Sequence, residues 1–328
     1  MAALSNFLIV SKSPLVTHLY TADPSAHVFG GRIYIYPSHD VDEVMEENDL
    51  GDQYAMTDYH VLSQDNPHGP VTDHGEALHL RDVPWASKQL WAPDAAFANG
   101  RYYLYFPARD KAGVFRIGVA TSNFPQGPFT AEKEPIKGSF SIDPCVFEDD
   151  DGSFYLYFGG LWGGQLQCWR GTDFDPAGSE PEWGQPALCP KVAKLNRDML
   201  SLAAGADDVR IVDPSGAPLR SVDHDRRFFE GPWMHKHNGL YYFSYSTGNT
   251  HTLVYATGTS PTGPFTYRGR ILNPVIGWTT HHSIIEHGGR WWLYYHDASL
   301  SGGTIYKRCV KVQELYYSSD GSIVTLDP

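Results

Sequence analysis

Asp94–Ala108 reads DAAFANGRYYLYFPA, two runs of apolar and aromatic residues joined through Asn-Gly. Aromatic side chains suit a pleated, half-buried surface, and Asn-Gly is the chemistry of a tight turn, so the stretch predicts a β-hairpin. The phrase returns four times: DPSAHVFGGRIYIYPS from Asp23, DPCVFEDDDGSFYLYFGG from Asp143, EGPWMHKHNGLYYFSYS from Glu230 and HHSIIEHGGRWWLYYHD from His281. A second phrase follows two of the copies, RIGVATSNFPQGPFT at Arg116–Thr130 and LVYATGTSPTGPFTY at Leu253–Tyr267. It reads as the outer strands of a repeated four-stranded sheet.

The five copies start 71, 49, 87 and 51 residues apart. About 50 residues make one four-stranded propeller blade, and the longer intervals are assigned to loop-like insertions at Asp40–Pro84 and Gly160–Arg227. The expected fold is therefore all-β, a five-bladed β-propeller forming a single domain over residues 1–328, with blades starting near 23, 94, 143, 230 and 281. A β-sandwich would not repeat one hairpin five times. The last stretch, Gly302–Pro328, is expected to complete the final blade and lend a closing strand.

Composition agrees. The 328 residues include 9 Trp, 20 Tyr and 16 Phe with 32 Gly and 23 Pro, and only 19% are charged, which is strand and turn chemistry rather than that of a helical bundle. Thirty-eight acidic against 25 basic residues leave a net charge of −13, so a nucleic-acid partner is excluded while a neutral sugar meets no repulsion. No 18-residue apolar stretch predicts a membrane span. The N-terminal apolar run Phe7–Val10 lacks a basic flank and a cleavage site, which gives a cytoplasmic expectation. Cys145, Cys168, Cys189 and Cys309 form no metal-binding spacing and are expected as reduced thiols. Nothing in the sequence decides the oligomeric state.

The first strand of each propeller blade lines the central channel, so the residues opening the repeats should converge on one axis. These are Asp23, Asp94, Asp143, Glu230 and His281. Each Asp alone reads as a turn residue, but four carboxylates and a histidine gathered together are difficult to justify as packing, because buried like charges repel and lose solvation.

At this point the sequence resembles glycoside hydrolase family 43. The carrying motifs are ADPSAHVFGGRIYIYPSHD at Ala22–Asp40, WAPD at Trp91–Asp94, SIDPCVFEDDDG at Ser141–Gly152, FFEGPW at Phe228–Trp233 and THHS at Thr280–Ser283. The resemblance implies a five-bladed propeller enzyme that hydrolyses glycosides with inversion, which requires two carboxyls roughly 6.5–9.5 Å apart with a water between. It makes Asp23 the general base, Glu230 the general acid and Asp143 the carboxylate that modulates the acid and orients substrate. Phe228, Phe229 and Trp233 flank Glu230 and could raise its pKa. Asp94 is read as capping its blade.

Arg308 matches a family arginine that hydrogen-bonds substrate hydroxyls; the alternative is a salt bridge to a surface carboxylate. His281, first in the HxS phrase, matches a histidine that faces a hydrated Ca²⁺ on the axis, with water or Na⁺ as alternatives and His282 as a competing candidate. Trp91 and Phe29 read equally as stacking platforms for a sugar ring and as inter-blade packing. The acidic run Asp40–Asp52 is expected as a surface insertion near the pocket rim. The leading expectation is an exo-acting enzyme releasing xylose from β-1,4-xylo-oligosaccharides, with α-L-arabinofuranosidase side activity. An α-L-arabinofuranosidase or exo-arabinanase, or a non-catalytic sugar-binding propeller, are the alternatives. No counterpart of the C-terminal β-sandwich of many family xylosidases is visible, so any residue it lends to the pocket is expected to be absent or replaced, with the Asp40–Pro84 insertion as the candidate replacement.

Overall fold

The computed structural model describes residues 12–249 and 251–328, so the N-terminal run Phe7–Val10 lies outside the described residues. Among the described residues five blade sheets follow one another along the chain, with the small two-stranded ribbon Trp169–Arg170 and Asp173–Phe174 between the second and third strands of blade three. Blade one is Tyr20–Phe29, Arg32–Asp40, Asp58–Gln64 and Thr72–His79. Blade two is Asp94–Ala98, Arg101–Asp110, Phe115–Ser122 and Thr130–Ala131, with Ala86–Lys88 added beside its second strand. Blade three is Cys145–Glu148, Phe154–Phe158, Lys191–Lys194 and Asp207–Asp208. Blade four is Phe228–His237, Leu240–Thr247, Leu253–Gly258 and Phe265–Leu272, extended by the parallel strand Ile211–Val212. Blade five has three strands, His282–His287, Arg290–Asp297 and Cys309–Leu315. The inner strands touch in the cyclic order one, two, three, four, five and back to one, which closes the propeller.

Closure differs from the expectation in one respect. The N-terminal segment runs along the last strand, with the Leu15 amide donating to the Val310 carbonyl (2.8 Å) and the Thr21 amide to the Arg308 carbonyl (2.9 Å). The C-terminal residues instead lie against blade four, where Leu326 exchanges backbone bonds with Ile271 and Asn273.

The two supposed insertions are also partly blade. Asp40–Pro84 contains the third and fourth strands of blade one, and Gly160–Arg227 contains those of blade three. Their solvent-facing positions carry His, Asp, Lys and Glu, so they lack the aromatic signal of the inner hairpins. The loop proper of blade one is 41–57.

The aromatic second strands tie four of the blades to the next and blade four to the C-terminal segment. Tyr36 donates to the Pro125 carbonyl of blade two (2.6 Å), Tyr105 to Met199 of blade three (2.8 Å), and Tyr157 to Pro261 of blade four (2.6 Å). Tyr242 donates to Gly321, past blade five (2.7 Å), and Tyr294 of blade five accepts from the Gln64 side-chain amide of blade one (2.7 Å). A buried hydroxyl is costly to leave without a partner, and these five bonds each cross to a neighbouring segment. The four cysteines are unpaired, in line with the expected thiols.

Asp94 is fully buried on the axis and holds three blades together. It accepts from Ser25 Oγ and lies 2.6 Å from His27 Nε2, both of blade one, and it accepts from the Val146 amide of blade three. Removing the carboxylate leaves these buried donors unsatisfied. Asp94→Ala should therefore lower the unfolding free energy by about 3 kcal/mol, read from urea denaturation. An unchanged denaturation midpoint would show that the contacts carry no stability.

Candidate active site

Pocket-facing carboxylates are placed by breaks in the inner strands. In blade one the pairing register shifts between Ala22 and Ser25, and Asp23 adopts a left-handed φ of 49°. Asp143 does the same with φ 57° immediately before blade three. In blade four the register shifts on both sides of Glu230, and Gly231 has φ 64°. A left-handed non-glycine residue costs about 1–3 kcal/mol, and a bulge re-aims a side chain off the regular pleat. Here both devices turn carboxyls toward one cavity of about 320 Å³. Asp23, Asp143, Glu230, His281 and Arg308 all line it, walled by Tyr54, Trp91, Trp162, Phe229 and Trp278.

The electrostatics divide the carboxyls. Burial opposes the charge on Asp23, yet the Arg308 guanidinium (Nη1 to Oδ1, 3.1 Å) and the His281 ring hold it far below the usual carboxylate range. Ser38 Oγ donates to its other oxygen at 2.6 Å. His296 lies 3.3 Å from the same carboxyl but is no ion-pair partner. Burial lowers its pKa to about 3, and its Nδ1 accepts the Asp23 amide at 2.9 Å, which fixes the neutral tautomer.

On the opposite side, burial and then the negative neighbours Asp143 and Asp23 push Glu230 well above the ordinary carboxylate range. Asp143 is itself raised to about 6, chiefly by burial, but it faces His281 and accepts the Gly231 amide at 2.9 Å. Glu230 has no such donor among the described residues. When the two share one proton, Glu230 therefore keeps it.

Arg308 is not on the surface. Its fork grips Asp40 through Nε (2.9 Å) and Nη2 (2.7 Å), and its backbone amide donates to the same carboxylate. Its guanidinium also lies 4.9 Å over the Tyr54 ring. Asp40, read from sequence as the start of a surface run, is 2% exposed and anchors this arginine. The rest of that run does reach the rim, where Glu47, Asn48 and Asp49 line the cavity.

Of the two aromatic candidates, Trp91 lines the cavity, but its ring packs 4.6 Å from Phe115 and its indole N–H donates to the Tyr54 carbonyl. Phe29 does not line it. It lies six residues along the inner strand from Asp23, roughly 20 Å at 3.3 Å per residue, and packs edge-on to Tyr102. The more exposed indole is Trp278, 40% exposed and stacked on Trp162 at 6.1 Å. It stands three residues before His281, and an aromatic so close to a repeat opener was the available signal.

His281, not His282, faces the cavity. Its Nδ1 is 3.6 Å from Asp23 Oδ1, and its Nε2 has no hydrogen-bond partner among the described residues. His282 is fully buried, with Nε2 2.6 Å from Ser244 Oγ. His281 belongs to no tight cluster of three His, Cys, Asp or Glu donor atoms among the described residues. The residues fit a cation that keeps most of its own water and meets one imidazole nitrogen, rather than one caged by protein oxygens.

An ionised carboxyl and a protonated one within one small cavity are the pair that hydrolysis of a glycosidic bond requires, and the protein is a glycosidase. Its relatives narrow the class. The chain belongs to the glycosyl hydrolases family 43, whose pattern matches residues 12–323. It is 62% identical to xylosidase/arabinosidase 43A of Humicola insolens, covering 96% of this chain and 99% of that protein. It is 50% identical to a β-xylosidase of Xylanibacter ruminicola, over 94% and 97% of the two chains. Among solved structures, a β-xylosidase/α-arabinofuranosidase from a compost microbial metagenome, in complex with xylotriose and in calcium-free form, superimposes with a TM-score of 0.95 at 60% identity, covering 97% of each chain.

Asp143→Asn removes the negative neighbour that helps keep the proton on Glu230. The pKa of Glu230 then falls, and the alkaline limb of the kcat/KM profile should move to lower pH by about one unit. An unmoved limb would separate Asp143 from that proton.

Proposed function

We propose that the protein is an inverting, exo-acting glycosidase that releases xylose from the non-reducing end of β-1,4-xylo-oligosaccharides, with α-L-arabinofuranosidase side activity. The observation that carries the reading is the opposed state of two carboxyls in one cavity: Asp23 ionised against Arg308, and Glu230 protonated beside Asp143. Asp23 takes a proton from a water as that water attacks the anomeric carbon. Glu230 gives its proton to the departing glycosidic oxygen, so the second sugar leaves as an alcohol. Asp143, bonded to the Gly231 amide, keeps the acid protonated and orients the sugar. The Trp162–Trp278 pair at the mouth offers apolar faces to the leaving sugar. The choice of a xyloside rests on relatives whose structures hold xylose and xylotriose.

Three measurements test this reading together. On xylobiose, Asp23→Ala and Glu230→Ala should each lower kcat by about 10²–10⁴-fold. On p-nitrophenyl β-D-xylopyranoside, whose leaving group needs little protonation, Glu230→Ala should lose much less than Asp23→Ala. The first xylose formed, followed by proton NMR, should be the α anomer. A first-formed β anomer, or near-normal turnover in either variant, would overturn the assignment.

We further propose that a hydrated Ca²⁺ binds against the free His281 nitrogen. When bound it supplies positive charge beneath the carboxylates. The calcium-free form of a 60% identical relative supports the choice of ion. Chelation should lower kcat/KM several-fold and added Ca²⁺ restore it, while unchanged kinetics would remove calcium from the account.

A further inference from the structure

Blade one carries a second cluster of ionisable groups, on different residues from those that line the cavity. His39 comes from its second strand, Asp58 and His60 from its third. Asp58 and His60 are two apart and so share one face of their strand. The register that pairs Ile33 with Gln64 and Ile35 with Leu62, carried outward, sets His39 opposite Asp58. His39 Nδ1 lies 2.8 Å from Asp58 Oδ1, and His60 Nε2 lies 3.5 Å from Asp58 Oδ2. One donor atom from each of the three residues falls within 4.8 Å of the others.

From this geometry we propose that His39, Asp58 and His60 form a binding site for a borderline-soft divalent cation of the Zn²⁺ type. Donors around a tetrahedral zinc with bonds of about 2.0–2.1 Å stand roughly 3.4 Å apart, so shifts of about 1 Å bring these three into place. Two imidazole nitrogens and one carboxylate select zinc-like ions over Ca²⁺ or Mg²⁺, which require oxygen shells. A supporting shell is already built. With Nε2 of His60 toward the ion, its Nδ1–H donates to Asp73 Oδ1 at 3.0 Å, and Asp73 is itself held by His18 at 2.8 Å. That is the carboxylate–histidine–metal arrangement that fixes a ligand's tautomer and orientation.

The side chains of the three ligands are between 15% and 24% exposed, which leaves a fourth position for water and a path for entry. Without an ion, the same donors are held by histidine–carboxylate pairing, so the cation takes the place of the protons between them. The bound ion would clamp the second strand to the third, one residue from Asp40.

Calorimetric titration of Zn²⁺ into the untagged chain, held in excess Ca²⁺, tests the site. About one ion per chain should bind, and binding should be lost in the double variant His39→Ala, His60→Ala. Asp73→Asn, which keeps all three ligands, should bind about 10–100-fold more weakly. Added Mg²⁺ should not compete. Retained glycosidase activity and far-ultraviolet circular dichroism establish that the variants fold, and His39→Asn, His60→Asn serves as a milder pair. No zinc binding by the wild type, or equal binding by a folded double variant, would overturn the proposal.

Discussion

A single guanidinium governs the charge pattern of this site. Arg308 is buried, bonded in bidentate fashion to Asp40 and singly to Asp23. Two carboxylates in a low-dielectric funnel would otherwise meet their desolvation cost by taking up protons. On one side of the cavity the fork prevents that at Asp23, which it holds far below the usual carboxylate range, while burial leaves Asp40 above its usual value in spite of the same guanidinium. The other side holds Asp143 and Glu230 with no arginine or lysine bonded to either among the described residues, and there burial raises both. The difference between a group fitted to accept a proton and one fitted to donate it follows from where one positive charge is fixed. Deleting a partner of such a buried pair typically costs about 3–5 kcal/mol, so Asp40 is as much a part of the arrangement as the residues that line the cavity.

The propeller makes that arrangement rigid. Five inner strands meet around the axis, and tyrosines of the second strands bond four of the blades to the next and blade four to the C-terminal segment. The aromatic abundance of the sequence is thus partly apolar filling and partly a ring of directional contacts between blades. The Asp94 bonds to Ser25, His27 and Val146 lock three blades at the centre in the same way. Groups hung from such a frame keep their separation, as proton transfer requires.

Features encoded locally were readable from the sequence. Each hairpin announces itself through alternating aromatics and a glycine turn, and the residue before it falls at the pocket end of the channel; Asp23, Asp143, Glu230 and His281 were found this way. Contacts between residues remote in the chain were not. Asp40 and Arg308 are 268 positions apart, and nothing local distinguishes Asp40 from the exposed acids that follow it. The outer strands of blades one and three read as insertions in the sequence because their solvent faces are polar. Phe29, open between stacking and inter-blade packing in the sequence, falls to packing for a related reason: a strand presents side chains along its whole length, and only the end near the opener reaches the cavity.

One distinction among the openers is nevertheless written in the backbone. Asp94 keeps regular strand pairing, opposite Tyr105, and its carboxylate stays among the blades as a tie. Asp23 and Asp143 each precede proline and adopt positive φ, while Glu230 precedes Gly231, which does the same. A left-handed step at the mouth of an inner strand breaks the pleat and swings the side chain out of the sheet's own hydrogen-bonding pattern. Of the four carboxyls that open repeats, the three that reach the cavity are those at such a step, and the one that stabilises the ring is not. Left-handed steps thus stand where a carboxyl turns into the cavity, and the regular strand is kept where Asp94 holds the fold together.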